Sequence, residues 1–231
     1  MDFLTAIDIP QPLKAVAAQI RARSGIELAI NQSTPDLKER FPELEKIHLL
    51  EIDPDERRIC IWYPGDAPSP PDLCHELIHA RRKILESVPR ISPLPEARYP
   101  ALISELENDF EHLFVVPEEL FYFPARIAKW EKLYSILVPL SGTNALNLFR
   151  QWVFIHVAMP ESAEIMDLCR SALQDLNLLD DAEMFRREIE AALPRKERVL
   201  NVVSNWFQDV GRDSRLERYV AADGVLKIVS E

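Results

Sequence analysis

The sequence predicts an α+β fold, with a small sheet and its helices in residues 1–124 and a mainly α-helical region in residues 125–231. The first observation is that three strand-like runs lie in the first part, whereas helix-spaced apolar residues fill most of the second. The second is the distribution of proline: ten of the 18 prolines lie between residues 64 and 124, and three lie beyond residue 124. Because proline interrupts regular helices, this change in frequency predicts a change in architecture.

Local patterns predict the N-terminal elements. Apolar residues at helical spacing predict a helix over residues 12–23, which Gly25 follows. Composition predicts strands over residues 26–30, 46–52 and 57–63. The segment 53–56 between the last two strands has the composition of a turn, so these strands are expected to form a hairpin.

Two helices are predicted next. A proline cluster at residues 64–71 leads into a helix over residues 71–87, since proline fits the first helical turn. A second helix covers about residues 101–115, and Pro117 is expected to end it. The buried side of the first helix is expected to consist of Leu73, Leu77, Ala80 and Ile84.

The region beyond residue 124 is predicted to be helical except at its end. Asp223-Gly224 lies between apolar runs and predicts a small hairpin there. Aromatic and methionine side chains at helical spacing are typical of a helical core. The predicted helices cover residues 125–138, 143–158, 162–176, 181–193 and 195–210.

Composition excludes several classes of function. The chain has five glycines, and no two share a short window, which excludes the glycine-rich loops of dinucleotide-binding and Walker-type proteins. A net charge of −11 disfavours sequence-independent nucleic-acid binding and binding to anionic membranes. No secretion signal or membrane-length apolar run is visible, and the three cysteines show no CxxC spacing. These features predict a cytoplasmic protein with reduced thiols.

One motif carries chemistry: residues 75–79 read His-Glu-Leu-Ile-His, an HExxH pattern within the predicted helix 71–87. Residues four apart lie about 40° apart around a helix and one turn apart, so both imidazoles can reach one metal ion. Glu76 lies on the adjoining face, where a carboxylate can take a proton from water at the metal. The pattern predicts a Zn²⁺ site with His75 and His79 as ligands and Glu76 as catalytic base.

A third protein ligand is expected from the second predicted helix, because catalytic zinc has three protein ligands and one open position. Glu107, Asn108 and Glu111 lie on one face of that helix, while Leu106 belongs to its apolar stripe. The residues therefore offer Glu107 or Glu111 as third ligand. The other carboxylate could hold a ligating histidine through its second ring nitrogen.

A strand hairpin, an HExxH helix and a following helix with a glutamate ligand resemble the minimal gluzincin core of zincin-like metallopeptidases. The chain most resembles the ImmA/IrrE-type family, in which the second helix reads roughly E-x-N-x-F and ends L-L-x-P. Asn108, Phe110 and Pro117 fit that pattern, but the family's ligand glutamate would fall on Leu106. An N-x-x-E-H version of the helix is matched by Asn108, Glu111 and His112. On this resemblance Glu111 is the expected third ligand, followed by Glu107 and then His112.

The resemblance implies a cytoplasmic zinc endopeptidase that acts on a protein or peptide substrate, such as a regulatory protein. It also implies that strand 58–63 edges the cleft and pairs with substrate, and that the C-terminal helices bind a partner or select the target. A second hypothesis is a non-catalytic regulatory or interaction protein with a structural or vestigial metal site. A third is a metal hydrolase that cleaves a non-peptide amide with the same residues.

Overall fold

A computed structural model of the chain describes Leu4, residues 7–40 and residues 48–230. The chain divides into two compact units, one of Met1–Pro89 with Glu217–Glu231 and one of Arg90–Leu216. Helices predominate and the strands form two small sheets, so the α+β prediction is confirmed. None of the helices in the described ranges is long and apolar enough to cross a bilayer.

The bounds of the elements agree with most of the predicted ones. The strands are β1 (Leu28–Gln32), β2 (Leu49–Asp53), β3 (Arg58–Tyr63), β4 (Arg90–Pro93), β5 (Ser214–Ala222) and β6 (Val225–Ser230). The helices are α1 (Gln11–Lys14), α2 (Val16–Ser24), α3 (Pro35–Arg40), α4 (Pro70–Ala80), α5 (Pro100–Tyr122), α6 (Ile127–Leu140), α7 (Ala145–Ala158), α8 (Ala163–Asp175), α9 (Leu179–Ala192), α10 (Lys196–Trp206) and α11 (Gln208–Asp213). Residues 46 and 47 of the predicted second strand lie outside the described residues.

The sheet of the first unit has the order β1-β3-β2. β2 and β3 pair antiparallel, with Ile52 opposite Ile59, so the predicted hairpin is confirmed. Its turn is closed by the Asp53 carboxylate, which accepts a hydrogen bond of 3.0 Å from the backbone N–H of Glu56. β1 pairs parallel with β3 on the other side. β3 is thus a central strand, and the expectation that residues 58–63 form an edge strand for substrate is wrong.

The C-terminal hairpin returns the chain to the first unit. β5 and β6 pair antiparallel around Asp223 and Gly224, which both have positive φ, so the predicted Asp-Gly turn is confirmed. Gly25, which ends α2 with φ of 66°, lies directly against this turn. A Cβ at Gly25 would come within 2.8 Å of the carbonyl oxygen of Gly224, so only glycine allows this approach.

The second unit is a helical assembly in which α7 packs against α5, α8 and α9. Its largest fully buried side chains are Phe110, Trp152, Phe154 and Phe185. Aromatic rings pack edge to face within this core, as between Phe110 and Phe185, with centroids 6.3 Å apart. The aromatic residues of the predicted C-terminal helices therefore form a core, as their helical spacing predicts.

The end of the second predicted helix differs from the prediction. Pro117 does not end the second helix, because α5 continues through it to Tyr122. A proline inside a helix costs roughly 3 kcal/mol, and the burial of the apolar residues Val115 and Val116 before it offsets part of that cost. The predicted domain boundary at residue 124 falls between α5 and α6, inside the second unit. The assignment of a catalytic region and a helical region on either side of it stays a prediction.

Candidate metal centre

The HExxH segment lies on α4, in the first unit. Pro70 and Pro71 occupy the first helical positions, where the missing N–H groups cost nothing because they would have no partner in the helix. The predicted buried side of the segment is confirmed, since its four apolar residues are fully buried. They are Leu73, Leu77 and Ala80 of α4 and Ile84 just beyond it. This burial fixes the rotation of α4 and thereby the direction of its histidines.

The two motif histidines lie beside each other on α4. His79 is buried and His75 is partly exposed, and their Nε2 atoms are 3.1 Å apart. Two nitrogens bound at about 2.0–2.1 Å to one tetrahedral zinc lie about 3.3 Å apart, so this pair fits the metal. The same distance also suits a hydrogen bond between one protonated and one unprotonated ring nitrogen.

Glu76 is anchored by the neighbouring sheet. Its Oε2 atom accepts a hydrogen bond of 3.1 Å from the backbone N–H of Leu50 in β2. Burial raises the pKa of the Glu76 carboxyl, although the nearby His75 and Lys83 and the N–H of Leu50 act in the opposite direction. A carboxylate with a raised pKa is a stronger base, which suits the role predicted for Glu76.

The helix changes pitch directly after His79. Residues Arg81–Leu85 form a π-helical turn, in which the N–H of Glu86 donates to the carbonyl of Arg81 over 3.1 Å. The Glu86 carboxylate also pairs with the Arg81 Nε at 2.9 Å. Such wide turns occur frequently at functional sites. The predicted helix 71–87 is therefore an α-helix with a π-helical end.

In the second unit, the two carboxylates predicted as third ligands share one lysine. Glu111 is almost fully buried, and its Oε2 lies 2.7 Å from Nζ of Lys196 in α10. Glu107 also pairs with Lys196, and its other oxygen accepts a hydrogen bond of 2.8 Å from the N–H of Ile91. Burial raises the pKa of the Glu107 carboxyl, which Lys196 counteracts. Both carboxylates thus take part in an ionic cluster within this unit.

The remaining residues of interest on α5 have different surroundings. His112 is partly exposed, and its ring packs edge to face on Trp130 with centroids 5.6 Å apart. Leu106, where the resemblance would require a glutamate ligand, is fully buried in the apolar core of the second unit. Leu106 therefore has a packing role, and the departure from the family pattern is real.

Sequence reasoning missed two contributors, Lys196 and Leu50. Lys196 lies about 90 positions from its partners in the sequence, and no local pattern distinguishes it from a solvated lysine. Leu50 acts through its backbone N–H, which every residue except proline possesses. Neither could have been found from the motif alone.

The three cysteines are buried, and none of them forms a disulfide within the described residues. Cys74, next to His75, is fully enclosed, in agreement with its prediction as a small packing residue. Burial raises the pKa of Cys60 to about 11 and that of Cys169 to about 12. These two thiols are therefore unsuited to metal or redox chemistry at neutral pH.

In comparisons with known proteins, no family model, curated protein or solved structure matches this chain.

Proposed function

We propose that the protein is a zinc-dependent peptide hydrolase with His75 and His79 as ligands and Glu76 as general base. The observation that carries the proposal is the 3.1 Å separation of the two Nε2 atoms, with the anchored Glu76 carboxylate on the same helix. When bound, zinc would polarise the substrate carbonyl and make water acidic enough to react near neutral pH. The resemblance to gluzincins of the ImmA/IrrE type supports the same chemistry.

We propose His112 as the third ligand in place of Glu111. Within the second unit, the carboxylates of Glu111 and Glu107 are both engaged by Lys196. A carboxylate that neutralises a buried lysine is a poor donor to a cation, because the lysine would lose part of its compensation. His112 is the remaining ligand candidate that the sequence offers on this helix. Three histidines suit a catalytic zinc with one open position.

Glu76 is positioned to move a proton. The N–H of Leu50 holds Oε2, which leaves Oε1 to accept the proton from the attacking water and to pass it to the leaving amine. Because this hydrogen bond comes from a strand, the carboxylate keeps one orientation through the reaction. The neutral carboxyl formed in the first step is favoured by the same burial that raises the pKa of Glu76.

The substrate would be an extended peptide bound along β2. Among the residues that the structure describes, β2 pairs with β3 alone, and the N–H of Leu50 in β2 donates to Glu76. A peptide that pairs with this edge is recognised through its backbone and so without strong sequence preference. Selection of one regulatory protein as the target would then depend on surfaces outside the sheet, such as those of the C-terminal helices.

The test combines metal analysis with cleavage. Glu76→Gln is expected to retain bound zinc and to lose peptide hydrolysis by at least about 100-fold, since it removes the base and not a ligand. His75→Ala and His79→Ala are expected to lose the metal. A Glu76→Gln variant that cleaves a peptide library at the wild-type rate refutes the mechanism. For the third ligand, His112→Ala is expected to weaken zinc binding more than Glu111→Gln does. If Glu111→Gln weakens zinc binding more, Glu111 and not His112 is the third ligand.

The second candidate is a non-catalytic regulatory protein with a structural or vestigial metal site. It is favoured by one observation: the two imidazoles also suit a direct hydrogen bond, which needs no metal. Purified protein that binds no zinc supports this candidate and excludes the hydrolase. Protein that binds zinc and cleaves a non-peptide amide, but no peptide, supports the third hypothesis.

A further inference from the structure

The outward face of α6, in the second unit, carries an apolar stripe. Leu133, Ile136 and Leu140 are 39%, 50% and 74% exposed. At 100° per residue the three positions lie within about 60° of one another, so they form one continuous face. Large apolar side chains grouped in this way on a surface are typical of a protein interaction site.

The stripe is not needed for the fold of α6. The opposite face of the helix already packs into the core through the buried residues Trp130, Tyr134 and Val138. The ring of Tyr134 stacks on that of Phe154 with centroids 4.6 Å apart. An amphipathic helix of a globular protein normally exposes polar residues on the face away from its core. α6 instead has an apolar face on each side.

Charge distinguishes the partner that this stripe fits. The exposed Lys129 lies in line with the stripe at its N-terminal end, and the exposed Lys132 borders the stripe about 40° from the direction of Ile136, although the chain as a whole has a net charge of −11. The single acidic residue of α6, Glu131, is turned toward α8, where it accepts a hydrogen bond of 2.7 Å from the hydroxyl of Ser162. The stripe is thus apolar along its length and basic at one end.

We propose that this stripe of Leu133, Ile136 and Leu140, with Lys129 and Lys132, docks an amphipathic helix of a protein partner that carries acidic residues beside its apolar face. A helix laid on α6 buries the three apolar side chains, and its carboxylates pair with the two lysines. A second copy of the chain fits less well, because each copy carries a charge of −11. An anionic membrane fits less well for the same reason.

The first experiment uses two synthetic helical peptides of about 18 residues, long enough to hold helical structure. Both have leucines at the stripe spacing; one has glutamates and the other has lysines beside them. The acidic peptide is expected to bind and the basic peptide to bind at least about tenfold more weakly, with the difference fading at high salt. Absence of binding by the acidic peptide, or equal binding of both, overturns the proposal.

The second experiment uses variants of the full chain. Ile136→Ser is expected to weaken binding of the acidic peptide about tenfold, while Leu168→Ser is expected to leave it unchanged. Leu168 is the matched control because it is similarly exposed, at 37%, but lies on α8. Lys129→Glu combined with Lys132→Glu is expected to reverse the preference between the two peptides. An equal loss of affinity for the acidic peptide in Ile136→Ser and Leu168→Ser would contradict the assignment of the binding site to the stripe on α6.

Two measurements distinguish the other occupants. Sedimentation of the wild-type chain is expected to show no dimer formed through this stripe. A wild-type dimer that is lost in Ile136→Ser would overturn the proposal in favour of a second copy of the chain. Vesicles of phosphatidylcholine with about 30% phosphatidylserine are expected not to bind the chain. Binding to them that depends on Ile136 overturns it in favour of a membrane surface.

Discussion

Replacing Lys196 by methionine is expected to destabilise the protein strongly while it leaves the shape of the side chain nearly unchanged. The lysine side chain is 2% exposed, and the carboxylates that it neutralises, Glu111 and Glu107, are 1% and 13% exposed. Methionine fills a similar volume but carries no charge. The variant therefore leaves two buried carboxylates without their cation.

The magnitude follows from the geometry. Charges about 4 Å apart attract by about 4 kcal/mol at an effective dielectric constant of 20, and Lys196 serves two such partners. Part of this loss is recovered because one carboxylate takes up a proton. Removal of one partner of a buried ion pair typically costs about 3–5 kcal/mol, and we expect a loss of that size in the free energy of unfolding.

The assay is urea denaturation at pH 7.5, with Lys132→Met as control because Lys132 is exposed. The triple variant with Lys196→Met, Glu107→Gln and Glu111→Gln is expected to regain most of the loss, since it contains no buried charge at these positions. Burial already raises the pKa of Glu107, and loss of Lys196 raises it further. The folded variant then binds a proton more tightly than the unfolded chain, so its stability increases as pH falls and the gap to wild type narrows.

Two results would refute this reasoning. A loss below about 1 kcal/mol for Lys196→Met would mean that the lysine is not the buried counterion of these carboxylates. A triple variant as unstable as the single one would assign the loss to packing and not to charge. Either result would also withdraw the argument against Glu111 as a zinc ligand.

Three further predictions concern other buried or partly buried groups. Burial raises the pKa of Cys60 to about 11 and that of Cys169 to about 12. The buried thiols are therefore expected to resist a disulfide reagent at pH 8 until denaturant is added. Rapid reaction of the native protein would contradict this. Partial burial raises the pKa of Asp109 to about 6 despite its ion pair with Arg150 at 2.6 Å. The folded state therefore binds this proton more tightly, and stability should increase as pH falls from about 6 to 4. Asp109→Asn should remove that increase in a comparison of unfolding curves, and an unchanged pH profile speaks against the raised pKa. Glu119→Ala is expected to lower the free energy of unfolding by about 3–5 kcal/mol. The fully buried carboxylate accepts hydrogen bonds from Arg126 at 2.8 Å and from the Trp130 indole at 3.2 Å, and alanine leaves both donors without this acceptor. A smaller loss for Glu119→Ala than for Glu119→Gln would contradict the prediction.

The elements that the sequence predicted well are those with strong local signals. The Asp223-Gly224 turn needs two residues with positive φ, which this dipeptide adopts readily, so the hairpin could be predicted from the pair alone. The buried side of α4 follows from the helical spacing of Leu73 and Leu77. The prediction that Pro117 ends the second helix was wrong, because a local rule for helix ends does not include tertiary burial such as that of Val115 and Val116.

The candidate site was predictable in part. The pairing of His75 with His79 depends only on spacing within one helix, so the sequence was sufficient for it. The sequence ranks the third ligand from the composition of α5 and from a family resemblance. Neither of these shows that Lys196 pairs with Glu111. The choice between Glu111 and His112 stays a prediction that zinc-binding measurements can decide.

The sequence by itself determined most of the helices and strands, the HExxH pair and the buried side of α4, because each depends on residues within one or two turns of each other. It did not predict α3 or β4. Only the tertiary structure decided that β3 is central, that the chain's last residues join the first unit, and that Lys196 neutralises Glu107 and Glu111. These contacts join residues far apart in the chain, and their stability comes from burial in an assembled core that no local pattern encodes.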